Sequence, residues 1–383
     1  GTHGLEILHC SQDLPGPRTP IVGRVLTPQS MIMRQPLQHS LRFPWQLAPI
    51  VRIHNISFPL ILRFPSMADV VVLVTGGTGL VGRAVQAEVQ ASPLSNETWI
   101  FVGSADADLT DLAATQLLFD THRPTHVLHL AARVGGLFKQ LHEPVEFFRA
   151  NAAMNDNVLA CANAFGVSKV ISMLSTCIFP DKTSYPIDES MLHLGPPHPS
   201  NLGYAVAKRN LDILSQCYVR EYGDRFVCVI PTNVYGPHDN FHLQDAHVIP
   251  ALVHKCWLAK QAGATSFVVG GSGAPLRQFI YSHDLAKLLV WAVHSYEDVS
   301  QPLILAGDDD ELSIRDVALA IAHAMEFNGQ VTFDTTQPDG QLKKTATNAK
   351  LRQLHPTFEF TRFQDGVAAT VRWFIRHYHG CRK

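Results

Sequence analysis

Between residues 70 and 236 the apolar positions fall into two alternating rhythms. Continuous apolar runs at 70–74, 99–102, 126–130, 169–174 and 226–231 are too short for helices and rich in β-branched and aromatic residues. Stretches near 79–91, 111–122, 144–166 and 203–222 are helical in pattern. Strands apolar on both faces, separated by helices, predict a parallel sheet covered on both sides. That is an α/β, doubly wound fold of Rossmann type. After about residue 236 the rhythm breaks. A nucleotide-binding domain is expected over 67–240 with a return near 278–300, and a smaller mixed C-terminal substrate-binding domain over 241–277 and 301–383.

Residues 1–66 follow neither rhythm. They hold nine of the 24 prolines, six Arg, no Lys and two acids, and sum to +4, which leaves −6 for the remainder of a chain whose net charge is −2. This segment reads as a disordered leader or a non-native extension, with Met67 just before the first strand; a transit peptide is the competing reading. Near-neutral charge without a basic tract argues against nucleic acid as a partner. No apolar run approaches about 18 residues, so no membrane span is expected. Seven cysteines with no C-x-x-C pair suit a reducing cytoplasm and neither a disulfide framework nor a metal site.

The first strand runs into Gly76-Gly77-Thr78-Gly79-Leu80-Val81-Gly82, which satisfies both G-x-x-G-x-x-G and G-x-G-x-x-G. Glycines there let backbone approach a pyrophosphate, and the following helix N-terminus supplies N–H donors. No Lys-Ser/Thr follows, which excludes a nucleotide-hydrolysing P-loop. The second strand ends in Gly103-Ser104-Ala105, without the acid that an NAD site places on the ribose; Asp106 and Asp108 come later, and Arg83 is a candidate for a 2′-phosphate. The pattern favours NADP (as NADPH) over NAD.

Tyr204 and Lys208 stand at i and i+4 at the start of a predicted helix, hence on one face. An adjacent ammonium is expected to lower the tyrosine pKa toward neutrality. Alone, the pair would read as a surface pair. Ser175, however, follows the fourth strand, where ligands sit in parallel sheets. In the order glycine turn, Ser175, Tyr204, Lys208, the chain resembles the extended short-chain dehydrogenases/reductases.

Longer blocks narrow the resemblance. Ser175–Pro180, Tyr185–Glu189, Pro231–Phe241 and Lys343–Ala346 are similar to the GDP-L-fucose synthase family, and the likeness runs from about residue 70 to the C-terminus. That resemblance implies NADPH-dependent 3,5-epimerisation and 4-keto reduction of a GDP-sugar. Cys177 would be the base and His247 the acid, with a protonated His247 as the cation that favours a thiolate. Tyr204 would donate the proton at C4, Ser175 would hold the C4 oxygen, and Lys208 would bind the nicotinamide ribose. Pro231, Thr232, Asn233 and Val234 would line the nicotinamide pocket, with His247 beside it. Lys255, Arg277 and Asp339 would contact the substrate.

The same resemblance implies a homodimer through the helices at 144–166 and 203–222. One departure is Gly270, within Val268–Gly271, where the family usually carries Trp. The alternatives are another extended-type nucleotide-sugar epimerase or reductase, and a non-catalytic NADP(H)-sensing protein.

Overall fold

The computed structural model describes residues 70–308, 311–337, 339 and 341–383; the leader reading for 1–66 lies outside the described residues. The first half alternates as the apolar rhythm predicts: β1 (Val70–Thr75), α1 (Leu80–Ala91), β2 (Glu97–Val102), α2 (Leu112–His122), β3 (His126–His129), α3 (Leu137–His142), α4 (Pro144–Ala164), β4 (Lys169–Met173), α5 (Leu202–Tyr222) and β5 (Phe226–Pro231). Then come β6 (Asn233–Tyr235), α6 (Val248–Gln261), β7 (Ser266–Gly270), β8 (Leu276–Arg277), β9 (Phe279–Tyr281), α7 (Ser282–Ser295), β10 (Leu303–Leu305), β11 (Leu312–Ser313), α8 (Ile314–Ala324), β12 (Gln330–Asp334), α9 (Ala349–Leu354) and α10 (Phe363–His377).

The main sheet has the order β10-β5-β4-β3-β1-β2 and is parallel throughout. Strand order reverses between β1 and β3, and a crevice opens at the strand C-termini beside that switch point. One apolar cluster buries α2, α4 and α5 against one face; another packs α1 and α7 on the opposite face. The helix–strand boundaries expected from sequence hold to within two residues at β1, α1, α2, α4, α5 and β5.

The boundary placed at residue 301 is corrected. β10 lies beyond it yet forms the sixth strand of the main sheet, paired with β5 from Leu303 to Leu305. This strand is fully buried, and its three apolar residues are too few to register as a strand in the sequence pattern. The remaining C-terminal elements form small two-stranded pieces, β7 with β12, β8 with β11 and β6 with β9, around a third apolar core. A Ser313–Asp316 capping box starts α8.

A buried polar network joins the floor of the crevice to the helices. Asn155 Oδ1 accepts from His129 Nε2 at 3.0 Å, so Nδ1 carries the lone pair and accepts from the Thr75 hydroxyl at 2.8 Å. Asn155 Nδ2 donates to the Ala207 carbonyl. β1, β3, α4 and α5 are thereby tied at one point. Burial, with the nearby Lys208 charge, pushes His129 down to about 3, so it is neutral across the physiological range.

Because the unfolded chain protonates this histidine near pH 6.5, folding stability should fall as pH drops below about 6. The loss is about 1.4 kcal/mol per unit until about pH 3. His129→Gln should flatten that contribution in urea titrations at several pH values, while costing roughly 1–3 kcal/mol at pH 7. An unchanged slope would remove His129 from this role.

Candidate active site

The crevice is a cleft of about 880 Å³ that extends from the glycine loop past the C-termini of β2, β3, β4 and β5. Gly76, Thr78, Gly79, Leu80, Val81 and Gly82 line one end. Gly76 has φ +68°, and a Cβ there would meet the Ala131 nitrogen at 2.8 Å. A Cβ at Gly82 would meet the Gly76 carbonyl oxygen at 2.5 Å, so loop and helix can close only with glycine at both places. Gly77 does not line the cleft. Its N–H donates to Val102 and its Cα abuts Phe101, which makes it a packing glycine.

A nicotinamide dinucleotide fits this cradle. The first residues of α1, Leu80, Val81 and Gly82, line the cleft, and Thr232 Oγ1 and Asp239 Oδ2 are buried in its lining without a described hydrogen-bond partner. At the end of β2 stand Gly103 and Ser104, and the nearby Asp106 carboxylate accepts from the Gly103 N–H at 2.7 Å. No acid projects from the strand end itself, in keeping with NADP. Asp108 does line the cleft. Arg83 does not: it lines a separate cavity behind the loop.

At the other end, Ser175 follows β4 in extended conformation and its Oγ accepts from the Cys177 N–H at 3.5 Å, which starts a single 3₁₀ turn over Thr176–Ile178. Ser175, Tyr204, Pro231, Thr232, Asn233, Val234 and His247 all line the cleft. Tyr204 and Lys208 occupy the first turns of α5, but they part ways. Tyr204 faces the cleft, whereas Lys208 is buried and its Nζ donates to the Met173 carbonyl at 2.7 Å.

Burial pushes the Tyr204 phenol up from its ordinary value, with the nearby Cys177 adding to the shift. The lowered tyrosine pKa expected from the i, i+4 pairing is therefore corrected. Desolvation outweighs the lysine, and burial also lowers Lys208 to about 8. A phenol that holds its proton is suited to giving one away to a developing alkoxide.

Cys177 is close enough to Tyr204, Lys208 and Arg209 for its charge to act on each of them. Burial raises its thiol pKa, and the opposing influences are, in order, the Lys344 charge, the Ser175 hydrogen bond and the Lys208 charge. In place of the protonated His247 expected from sequence, the cation with the largest effect on this thiol is Lys344. His247, at the N-cap of α6, lines the cleft, and burial holds its imidazole below the usual range.

Lys344 had no role in the sequence reading. The only signal was its place in the Lys343–Ala346 block. The structure brings it beside Cys177 and within electrostatic reach of Arg277. Arg277 is half-buried, with its Nη1 donating to the Leu276 carbonyl. Lys255 stands exposed on α6 with no ion pair among the described residues. Asp339 accepts from the N–H and hydroxyl of Ser272, so it holds a turn. Beside Gly270, where Trp was expected, the Gln337 side chain lies 3.6 Å from where a Cβ would stand.

Residues 72–306 match the NAD dependent epimerase/dehydratase family. The chain is 54% identical over 312 residues to a GDP-L-fucose synthase of Dictyostelium discoideum, covering 82% of this chain and 97% of that one. It is 50% identical over 319 residues to a probable GDP-L-fucose synthase of Drosophila melanogaster, covering 82% and 99%. A crystal structure of a GDP-L-fucose synthetase from Naegleria fowleri bound to NADP superposes with a TM-score of 0.79 at 49% identity, covering 84% of this chain and 97% of that one. With a glycine cradle, Ser175 and Tyr204 on one cleft and the Cys177 thiol next to both, the chain belongs to the NAD dependent epimerase/dehydratase family and, within it, to the GDP-L-fucose synthases.

Proposed function

We propose that this chain converts GDP-4-keto-6-deoxy-D-mannose to GDP-L-fucose by 3,5-epimerisation followed by reduction at C4. The observation that carries the reading is the thiol. A simple ketone reductase has no use for a titratable sulfur beside its serine and tyrosine, whereas an epimerase needs a base there. The C4 ketone acidifies the hydrogens at C3 and C5, so one base–acid pair serves both centres through enediolates. Cys177 removes each proton, with Lys344 and Lys208 offsetting the cost of the thiolate. His247, at the rim of the cleft, returns a proton to the opposite face. Ser175 holds the C4 oxygen, and Tyr204 delivers its proton when that oxygen becomes an alkoxide.

Bound NADPH supplies the hydride. The glycine cradle and the Pro231–Val234 wall would hold its two ends, with the Lys208 ammonium buried one turn of α5 beyond Tyr204. Arg277 and Lys344, two cations in electrostatic contact, face the nucleotide diphosphate, with Lys255 and Asp339 contributing from α6 and the C-terminal segment. We also infer a homodimer through α4 and α5, which pack together and leave Val145, Phe148, Leu202 and Ile213 exposed on their outer faces. The reducing cytoplasm suits six free cysteines among the described residues.

In D₂O with NADPH and the keto sugar, deuterium should enter C3 and C5 with one NADPH oxidised per product. A 4-epimerase would label neither carbon. Cys177→Ala should lose ~10²–10⁴ in exchange while still binding NADP⁺, and Tyr204→Phe should lose reduction but keep exchange. Normal exchange by Cys177→Ala would sink the base assignment.

The raised thiol pKa gives a pH signature. Only the small thiolate fraction acts near neutrality, so with proton removal as the slow step the exchange rate should rise roughly tenfold per unit between about pH 7 and 9. Lys344→Met should move that limb to higher pH; an unmoved limb would deny Lys344 its part. Ile213→Glu should convert dimer to monomer in light scattering, and a wild-type monomer would end the dimer reading.

A further inference from the structure

Behind the glycine loop lies a second cavity of about 470 Å³, bounded by the first turn of α1, the loop after β6, the end of α10 and the C-terminal turn. Its lining is cationic. Arg83, Arg376 and Arg382 converge there with His238 and His377. Arg83 has one described partner, the Gln86 amide at 3.2 Å, and none of the three arginines pairs with an acid among the described residues.

The one carboxyl in the lining is Asp239. It is buried, burial pushes it up to about 7, and one oxygen is already taken by the Asn240 N–H. It is therefore a poor counter-ion for the group. The cations also act on one another: besides burial, Arg83, His377 and Arg382 hold His238 below its ordinary value. Mutual repulsion of this kind is relieved when an anion enters, and guanidinium forks match a phosphoryl group.

The C-terminal turn builds this arrangement deliberately into the fold. Phe241 N–H donates to the Arg382 carbonyl at 2.8 Å, and Arg382 Nη2 donates to the His238 carbonyl at 2.7 Å. His238 packs on Trp373 and Trp373 stacks on His377, which fixes the wall that carries Arg376. Thr78, Asp239 and Arg382 line both cavities, so the two share one partition.

We infer that this cavity is a binding site for a small phosphorylated anion, distinct from the cofactor site and occupied alongside it. The loop N–H groups on the other side of the partition would meet the diphosphate of the cofactor. A ligand here would bear on cofactor affinity through Arg382.

Inorganic pyrophosphate is the probe, titrated by calorimetry into the whole protein saturated with NADP⁺ at constant ionic strength. Binding should persist under saturation. Arg376→Gln and Arg83→Gln, both exposed and free of core contacts, should each weaken it about tenfold. NADP⁺ affinity of Arg376→Gln, measured separately, should stay within about twofold. Displacement of pyrophosphate by NADP⁺ would assign the cavity to the cofactor and overturn the proposal. Equal binding by wild type and both variants would reduce it to diffuse surface charge and overturn it as well. Neither result touches the proposed epimerase/reductase activity, which is read by deuterium exchange.

Discussion

The site is organised around a buried ammonium. Lys208 has exchanged water for the protein interior, and its described hydrogen bond is to a single carbonyl at the end of β4. Such a charge is costly to hold, and the cost appears as a pKa brought down to about 8. Its field helps to keep His129 neutral and opposes the rise of the Cys177 and Cys228 thiols. α5 must dock so that its second turn meets the last residue of β4, which in turn places Tyr204 one turn earlier, at the cleft. A negative ligand near Lys208 would raise its pKa again, so cofactor binding and the charge state of the helix are linked.

Two cations serve the thiol, one from each side. Lys208 comes from α5 and Lys344 from the C-terminal segment, where it is also in electrostatic contact with Arg277. Cys177 instead opposes the ionisation of Tyr204. This opposition suits two successive steps. While the thiol acts as base the phenol stays protonated, and it is still charged with its proton when reduction calls for it. Burial alone holds the His247 imidazole below its ordinary value, with no charged neighbour contributing to the shift.

Most of the main sheet was legible because strands buried on both faces leave uninterrupted apolar runs, and because Gly76 and Gly82 answer to steric demands that no other residue meets. The order Ser175, Tyr204 and Lys208 was legible for the same reason: position at a strand end or helix start is local. What escaped was long-range. β10 is three residues whose partner lies far back in the chain. Lys344 and Arg382 reach their sites only by tertiary folding, and Arg83 turned out to face away from the cleft it was expected to serve. The lowered tyrosine pKa failed because spacing reports proximity along a helix and says nothing about lost water.

The return of the chain at β10 has a consequence for synthesis. As the polypeptide leaves the ribosome, β1 to β5 can assemble in sequence, but the outer edge of β5 must wait for Leu303–Leu305. During that interval an apolar, hydrogen-bond-hungry border is open to other nascent chains. The intervening segment includes α7, which packs on α1 across the opposite face of the sheet. Vectorial synthesis thus leaves the nucleotide lobe unsealed until much of the other lobe exists, and a stall between these points would produce a species prone to aggregate.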